Sequence, residues 1–482
     1  PFVTTPILTK DESEMDYPRM ELADICQYFI DDLATLPESA ETDYPDWGSG
    51  EHLRYNYSRL LFFPVNIVRG DLYLWLGSTK GKTAGKADFL QAVKCYYKYI
   101  TQRNGHNSVY PTGVDFCMWQ TGTTSWNSFL SCLANGQGSY LTTTGNGRST
   151  AFSNLYSTEN YFANGELITM IPGDSIRAEG NYSELRNLFV SRDENDELVS
   201  ISPSNRMVQL SEQQVNLSLT NNKRSVVYAP TDLSDTKGDL RLYNFYRQQE
   251  VVDLTQGTRI NAQYIYKYTT RNVHIYRRQM LYLRLAEALN LIGQPRLAYK
   301  ILESGLANDV LEEQVYPYLN TEDYEWVSSN FSFPTSQYKV LKAEDLDRTS
   351  FNPSNVNTMG IHSRGSGFTP MNDYYRLVGE DSICIRWTTD STFVFDDNAY
   401  AQLKQQQQQQ VDSLILNENA LECCFEGTRY YDLMRFALRS DNPGAFLTNY
   451  VNARGGEGTS AGIDLTNRQN WFLRWGNGKI GY

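Results

Sequence analysis

Between Val411 and Arg439 the chain repeats carboxylates and guanidiniums at helical spacing. Glu418, Glu422 and Glu426 recur every four residues, Arg429 follows Glu426 by three, and Asp432 and Arg435 continue the stripe. Carboxylates so arranged could act as a general acid and base, the chemistry of glycoside hydrolysis. Their setting favours another use. The intervening residues are mostly apolar, and a buried carboxylate is tolerated there only when paired, a role that arginine fills by bridging two carboxylates. The expectation is a structural ion-pair network of Glu418, Glu422, Glu426, Arg429, Asp432 and Arg435, in which loss of Arg429 costs roughly 3–5 kcal/mol and causes misfolding. Gly427 interrupts the stripe where two backbones could approach.

No other motif supplies catalysis or a metal. Ile361–Gly367 is glycine-rich but matches neither a nucleophile elbow nor a phosphate loop, and reads as a turn. The four histidines (His52, His106, His274, His362) have no zinc-binding spacing. Asp193–Glu197 starts like a calcium loop, lacks its central glycine and terminal glutamate, and reads as a solvated turn. No serine sits in a motif that supplies its base. A protein that binds without turnover, with no cofactor and no metal, is expected.

Aromatic residues interleaved with amides are the better candidates for ligand contact. The stretch Tyr110–Phe162 holds Tyr110, Trp119, Trp126 and Tyr140 among Asn127 and other amides. Such surfaces stack on the C–H faces of sugars and hydrogen-bond their polar rims, and the same amides serve a peptide main chain. Tyr264 and Tyr266 are secondary candidates. The alternative is that Trp119 and Trp126 pin this insertion to the scaffold.

Periodicity identifies the elements that would carry these residues. Leu22, Ile25, Phe29 and Leu33 form one apolar face of a helix within Arg19–Leu36. Helices are expected at Pro64–Leu76, ending at Gly77, and at Ala87–Ile100. Arg277–Ile292 and Arg296–Ala307 form a second hairpin about Gly293-Gln294-Pro295, with tetratricopeptide-like offsets. Asn398–Arg439 is a third helical region, broken near Asn417, and its glutamine tract Gln405–Gln410 reads as a solvated helix face. The long stretches between, 101–271 and 316–395, are rich in Gly, Ser, Thr and Asn and read as a loop-rich ligand face with short strands. The fold class is mainly α: one domain with a discontinuous scaffold of tetratricopeptide-like hairpins (19–100, 273–310, 397–440) and long insertions.

The 43 basic and 56 acidic residues give a charge of −13, which argues against nucleic acid or anionic lipid as a partner. Seven scattered cysteines imply no disulfide framework. No apolar run reaches the roughly 18 residues of a membrane-spanning helix.

Glu422, Phe425, Glu426, Gly427, Arg429, Asp432, Leu433 and Arg435, taken with the helix Arg277–Ile292, resemble the SusD/RagB family of outer-membrane nutrient-binding lipoproteins. Asp239, Arg241, Lys267, Tyr268 and Arg277 resemble that family's central charged positions, which clamp loop to helix. The resemblance implies a surface-exposed outer-membrane protein that captures oligosaccharides for import through a SusC-like TonB-dependent transporter. It also implies that the usual N-terminal segment, with its lipidated cysteine and hence the only membrane attachment, is missing here. Oligopeptide cargo is the first alternative, and a tetratricopeptide-type scaffold for protein interaction is the second.

Overall fold

The computed structural model describes residues 2–37, 62–103, 201–220, 272–333 and 375–472, apart from a few positions, together with short stretches between them. Helix α1 (Leu22–Ala34) buries Cys26 and Ile30 against α2 (Val65–Lys80). The second helix does not stop at Gly77 as its sequence suggests; it continues to Lys80 and ends at Gly81, whose φ is +86°. Gly77 serves close packing instead. A Cβ there would lie 2.6 Å from the Phe89 ring, and one on Gly85 would lie 2.2 Å from the Gly77 carbonyl oxygen. This contact lets α2 turn back tightly into α3 (Lys86–Arg103).

The first long insertion contributes β1 (Leu167–Ile171), α4 (Asn205–Glu212, capped by Ser204) and two hairpins, β2 (Val215–Thr220) with β3 (Lys223–Tyr228) and β4 (Tyr246–Asp253) with β5 (Thr258–Ile265). Strand β6 (Val273–Arg277) pairs antiparallel with β1 and runs straight into α5 (Arg278–Leu291). Nearly every residue of α5 is buried, including Gln279, Glu287 and Asn290, so it is the central helix rather than an amphipathic one. Gly293, at φ +95°, makes the turn into α6 (Pro295–Glu303), which starts one residue before the expected Arg296, with the turn proline as its first residue, and ends at Glu303 rather than Ala307.

Residues Gly360–His362 close the end of α6. Their amides donate to the carbonyls of Glu303, Ile301 and Leu302 at 3.0, 3.3 and 2.9 Å, satisfying acceptors that a helix end leaves open. Helix α7 (Thr321–Asn330), capped by Asn320, and a short hairpin of β7 (Ile385–Trp387) with β8 (Phe393–Phe395) precede α8 (Asp397–Glu422). That last helix runs unbroken through Asn417. The chain reverses later, at Cys423–Thr428, where Phe425 and Gly427 have φ values of +64° and +77°. Nothing lies within 4 Å of a Cβ built on Gly427, so this glycine supplies backbone conformation and not a close approach. Helices α9 (Arg429–Leu438) and α10 (Pro443–Asn452) follow. Leu74, Phe89, Tyr96, Leu289, Ile301, Ile415 and Phe436 join in one core, which draws on α2, α3, α5, α6, α8 and α9. The described residues are mainly helical.

The glutamine tract departs from its reading as a solvated face. Gln405, Gln406 and Gln409 are exposed, but Gln407 is buried and donates to the Val378 carbonyl at 2.9 Å. Gln408 donates to the Asn290 carbonyl at 2.8 Å, and Gln410 holds both Arg376 O and Val378 N at 2.8 Å. An amide can donate and accept at once, so it satisfies a neighbouring backbone where a lysine or glutamate could not.

The close approach of α2 and α3 gives a direct test. Gly85→Ala must displace backbone and is expected to destabilise the protein by about 1–3 kcal/mol, read as a lower urea midpoint; an unchanged midpoint would contradict the packing.

Candidate functional site

At the end of α8 the carboxylates meet arginines from far along the chain. Arg277, the residue that joins β6 to α5, donates through Nη1 to Glu422 Oε1 at 2.7 Å and through Nη2 and Nε to both oxygens of Glu426 at 2.7 and 2.8 Å. Its Nη2 also reaches the Glu422 carbonyl oxygen at 2.7 Å. Arg241 lies beside it, donating to Asp239 at 2.8 and 3.0 Å, to Glu418 at 3.0 Å and to Glu422 at 3.1 Å. His362 Nδ1 is 2.6 Å from the other oxygen of Glu418, and its ring stacks on Tyr375 with centroids 3.6 Å apart. These charged side chains are shielded from water. Burial alone would raise the Glu418 carboxyl, but Arg241 and His362 outweigh it and hold the group below the usual carboxylate range.

A second cluster ties α9 to α5. Arg435 grips both oxygens of Glu287 at 2.8 and 2.7 Å and also donates to Asp432 at 2.8 Å, and Arg439 reaches Glu287 at 2.5 Å. Burial pushes the Glu287 carboxyl up, yet the two guanidiniums prevail and bring it down to about 2.

Arg429 stands apart from the network that its spacing suggested. Its Nη1 donates to the Leu416 carbonyl at 2.7 Å and its guanidinium lies 5.8 Å from the Tyr450 ring. Among the described residues no carboxylate is within ion-pair distance of it. The cause is the reversal at Cys423–Thr428: regular spacing implies a shared face only while the helix continues, and α8 ends at Glu422. The bridging role belongs to Arg241 and Arg277. No local spacing could reveal them, since they lie 181 and 145 residues from Glu422.

Of the ligand candidates, Tyr110, Trp119, Trp126, Asn127, Tyr140 and Tyr266 lie outside the described residues, as do Asp193–Glu197, Lys267, Tyr268 and Ser363–Gly367. Tyr264 is on β5, opposite Arg247 of β4. Sequence reasoning did not find a cleft of about 520 Å³ between α3, α7 and α8, lined by Lys86, Leu90, Asn320, Asp323, Trp326 and Tyr400 among others. That volume suits a small ligand. Its central acid is already engaged: Asp323 accepts from Gln294 at 2.8 Å, Tyr400 at 2.7 Å and Lys404 at 2.5 Å, so it chiefly fastens α7 to α8 and to the α5–α6 turn. Among the described residues no group of three or more His, Cys, Asp or Glu could hold a metal ion, and no helix is long and apolar enough to cross a membrane.

The model of the SusD family matches residues 394–471, the region that contains α8, its closing turn, α9 and α10. Over this region the chain is similar to the SusD family. No curated protein matches the chain. Similar solved structures include NanU of B. fragilis (14% identity, 88% of this chain and 63% of that one, TM-score 0.37). A SusD-like carbohydrate binding protein of Bacteroides fragilis is 11% identical over 92% of this chain and 62% of its own, with a TM-score of 0.40. A SusD superfamily protein of Bacteroides vulgatus is 14% identical over 80% of this chain and 58% of its own, with a TM-score of 0.33. The chain therefore spans less than two thirds of the length of each of these structures.

Two outcomes follow from the charge clusters. Arg277→Met strands Glu422 and Glu426 and is expected to cost roughly 3–5 kcal/mol, whereas Arg429→Ala, which removes one bond to a carbonyl, costs about 1–3 kcal/mol; urea melts of the two variants would reverse this order if Arg429 were the bridge. Because Glu287 titrates lower in the folded protein than in the unfolded chain, its stabilisation is complete above the ordinary value near 4.5 and is lost as pH falls toward about 2. The urea midpoint should hold steady down to about pH 5 and fall below it, and a flat profile through this window would contradict the assignment.

Proposed function

We propose that this chain is a surface-exposed outer-membrane binding protein that captures oligosaccharides for import through a SusC-like TonB-dependent transporter. The observation that carries this reading is the family match over residues 394–471, which falls on the segment whose glutamates bind Arg241 and Arg277. A scaffold fastened from within by charged clusters gives long insertions a rigid base, and binding residues commonly sit on such loops. The aromatic and amide side chains at Tyr110, Trp119, Trp126, Asn127, Tyr140, Tyr264 and Tyr266 have the chemistry that a pyranose ring with a hydroxyl rim requires. Attachment to the membrane would be through a lipid anchor, and the protein would act without turning its ligand over.

Calorimetric titration with a panel of neutral oligosaccharides, alongside mixed oligopeptides, tests the proposal. One oligosaccharide series should bind and be recovered intact, and Trp119→Ala or Trp126→Ala should weaken it by about tenfold without shifting the thermal midpoint, in line with about 1.4 kcal/mol for a lost stacking face. Binding of peptides alone would move the cargo to oligopeptides, and recovery of shortened sugars would overturn the non-enzymatic assignment.

A further inference from the structure

A groove of about 1780 Å³ is bounded by α1, α2, α4, α9, α10 and the segment through Trp471. Its walls are mainly apolar, with Leu22, Ile25, Leu72, Met207, Leu433 and Trp471 among them, and Phe29, Tyr431 and Phe472 stand substantially exposed at its edges. The volume is well above the roughly 300–1,000 Å³ of small-molecule pockets.

Three guanidiniums line this same groove, Arg206 from the first turn of α4, Arg429 from the first turn of α9 and Arg454 just after α10, and the first two bear on its charge. Arg429 spends a single hydrogen bond, on the Leu416 carbonyl, and among the described residues neither Arg206 nor Arg429 has an acidic group within ion-pair distance. Of the acids nearby, Asp432 accepts from Arg435 at 2.8 Å, while Asp464, exposed on the groove wall, uses one oxygen on the Thr466 amide at 2.9 Å and hydroxyl at 2.5 Å and is not within ion-pair distance of Arg206 or Arg429. Burial is the main influence on Arg429 and disfavours its charge; Asp432 and Tyr450 offset this in part, and Arg206 opposes the charge further. Two half-buried like charges with no ion-pair partner among the described residues are costly, and an anionic group brought to them would lower that cost.

We propose that this groove receives an amphipathic helix of a partner polypeptide, its apolar stripe against the Leu22, Ile25 and Leu433 walls and a carboxylate beside the stripe paired with Arg206 and Arg429. An amphipathic helix laid in an apolar groove is an established mode of recognition, and the arginine pair fixes its register through charge. The proposal does not depend on the identity of the cargo.

The test uses a synthetic amphipathic helix of about 18 residues, with a Leu and Phe stripe flanked by two Glu, and a matched peptide with Lys at the same two positions, followed by fluorescence anisotropy. The acidic peptide should bind about tenfold tighter than its Lys counterpart, and Arg206→Glu should abolish or reverse that preference by weakening the acidic peptide and strengthening the Lys one. Ile25→Asp, on the apolar wall, should weaken both peptides, and circular dichroism checks that each variant is folded. Equal affinity for the two peptides, or an unchanged preference in Arg206→Glu, would overturn the proposal. So would full displacement of the acidic peptide by hexanoate at equal concentration, which would make the groove a small-anion pocket.

Discussion

Glu422 lies out of contact with water between two arginines, and much of the scaffold's arrangement depends on that placement. Arg241 comes from the first long insertion and Arg277 from the junction of β6 and α5, while Glu418, Glu422 and Glu426 come from α8 and its closing turn. The desolvation of so many charges is severe, and it is offset only when each carboxylate and guanidinium finds its full set of partners. This requirement is directional, unlike apolar burial. A core of leucines would tolerate some sliding of α8 over α5, whereas a bidentate pair tolerates little. The reversed turn at Phe425 and Gly427 belongs to the same design, because it carries Glu426 back toward Arg277.

The Glu287 cluster repeats the device one helix away. Arg435 and Arg439 anchor α9 to the middle of α5, and Asp323 fastens α8 to α7 and the α5–α6 turn. Polar contacts thus fix how the helices are arranged, while the shared apolar core supplies most of the burial. The glutamines of α8 extend this pattern to irregular segments by holding the backbone at Arg376 and Val378. Such a base suits a protein whose loops must present a surface to a ligand.

The helices could be read from the sequence where local physics dominates. The apolar periodicity of α1 and α3 and the Gly293-Gln294-Pro295 turn marked these elements to within a few residues. The sequence failed to show how a local feature would be used by distant chain. Gly77 looked like a helix stop and is a packing contact; Gly427 looked like a contact and is a backbone turn. Arg429 looked like the bridge because three-residue spacing was extended across a turn that the sequence alone did not reveal. Resemblance to a family, by contrast, did single out Asp239, Arg241 and Arg277. The Asp323 cleft had no signal at all, being assembled from separate segments. The aromatic candidates at Trp119 and Trp126 rest on chemistry, since they lie outside the described residues.

The proposed role is that this scaffold holds a glycan next to a membrane transporter. Native mass spectrometry of the protein, gently extracted in detergent from its own membrane, examines both halves of that claim at once. The expected result is a complex with a much larger membrane chain and a ligand ladder spaced by hexose units. A bare monomer carrying neither partner nor ligand would contradict it.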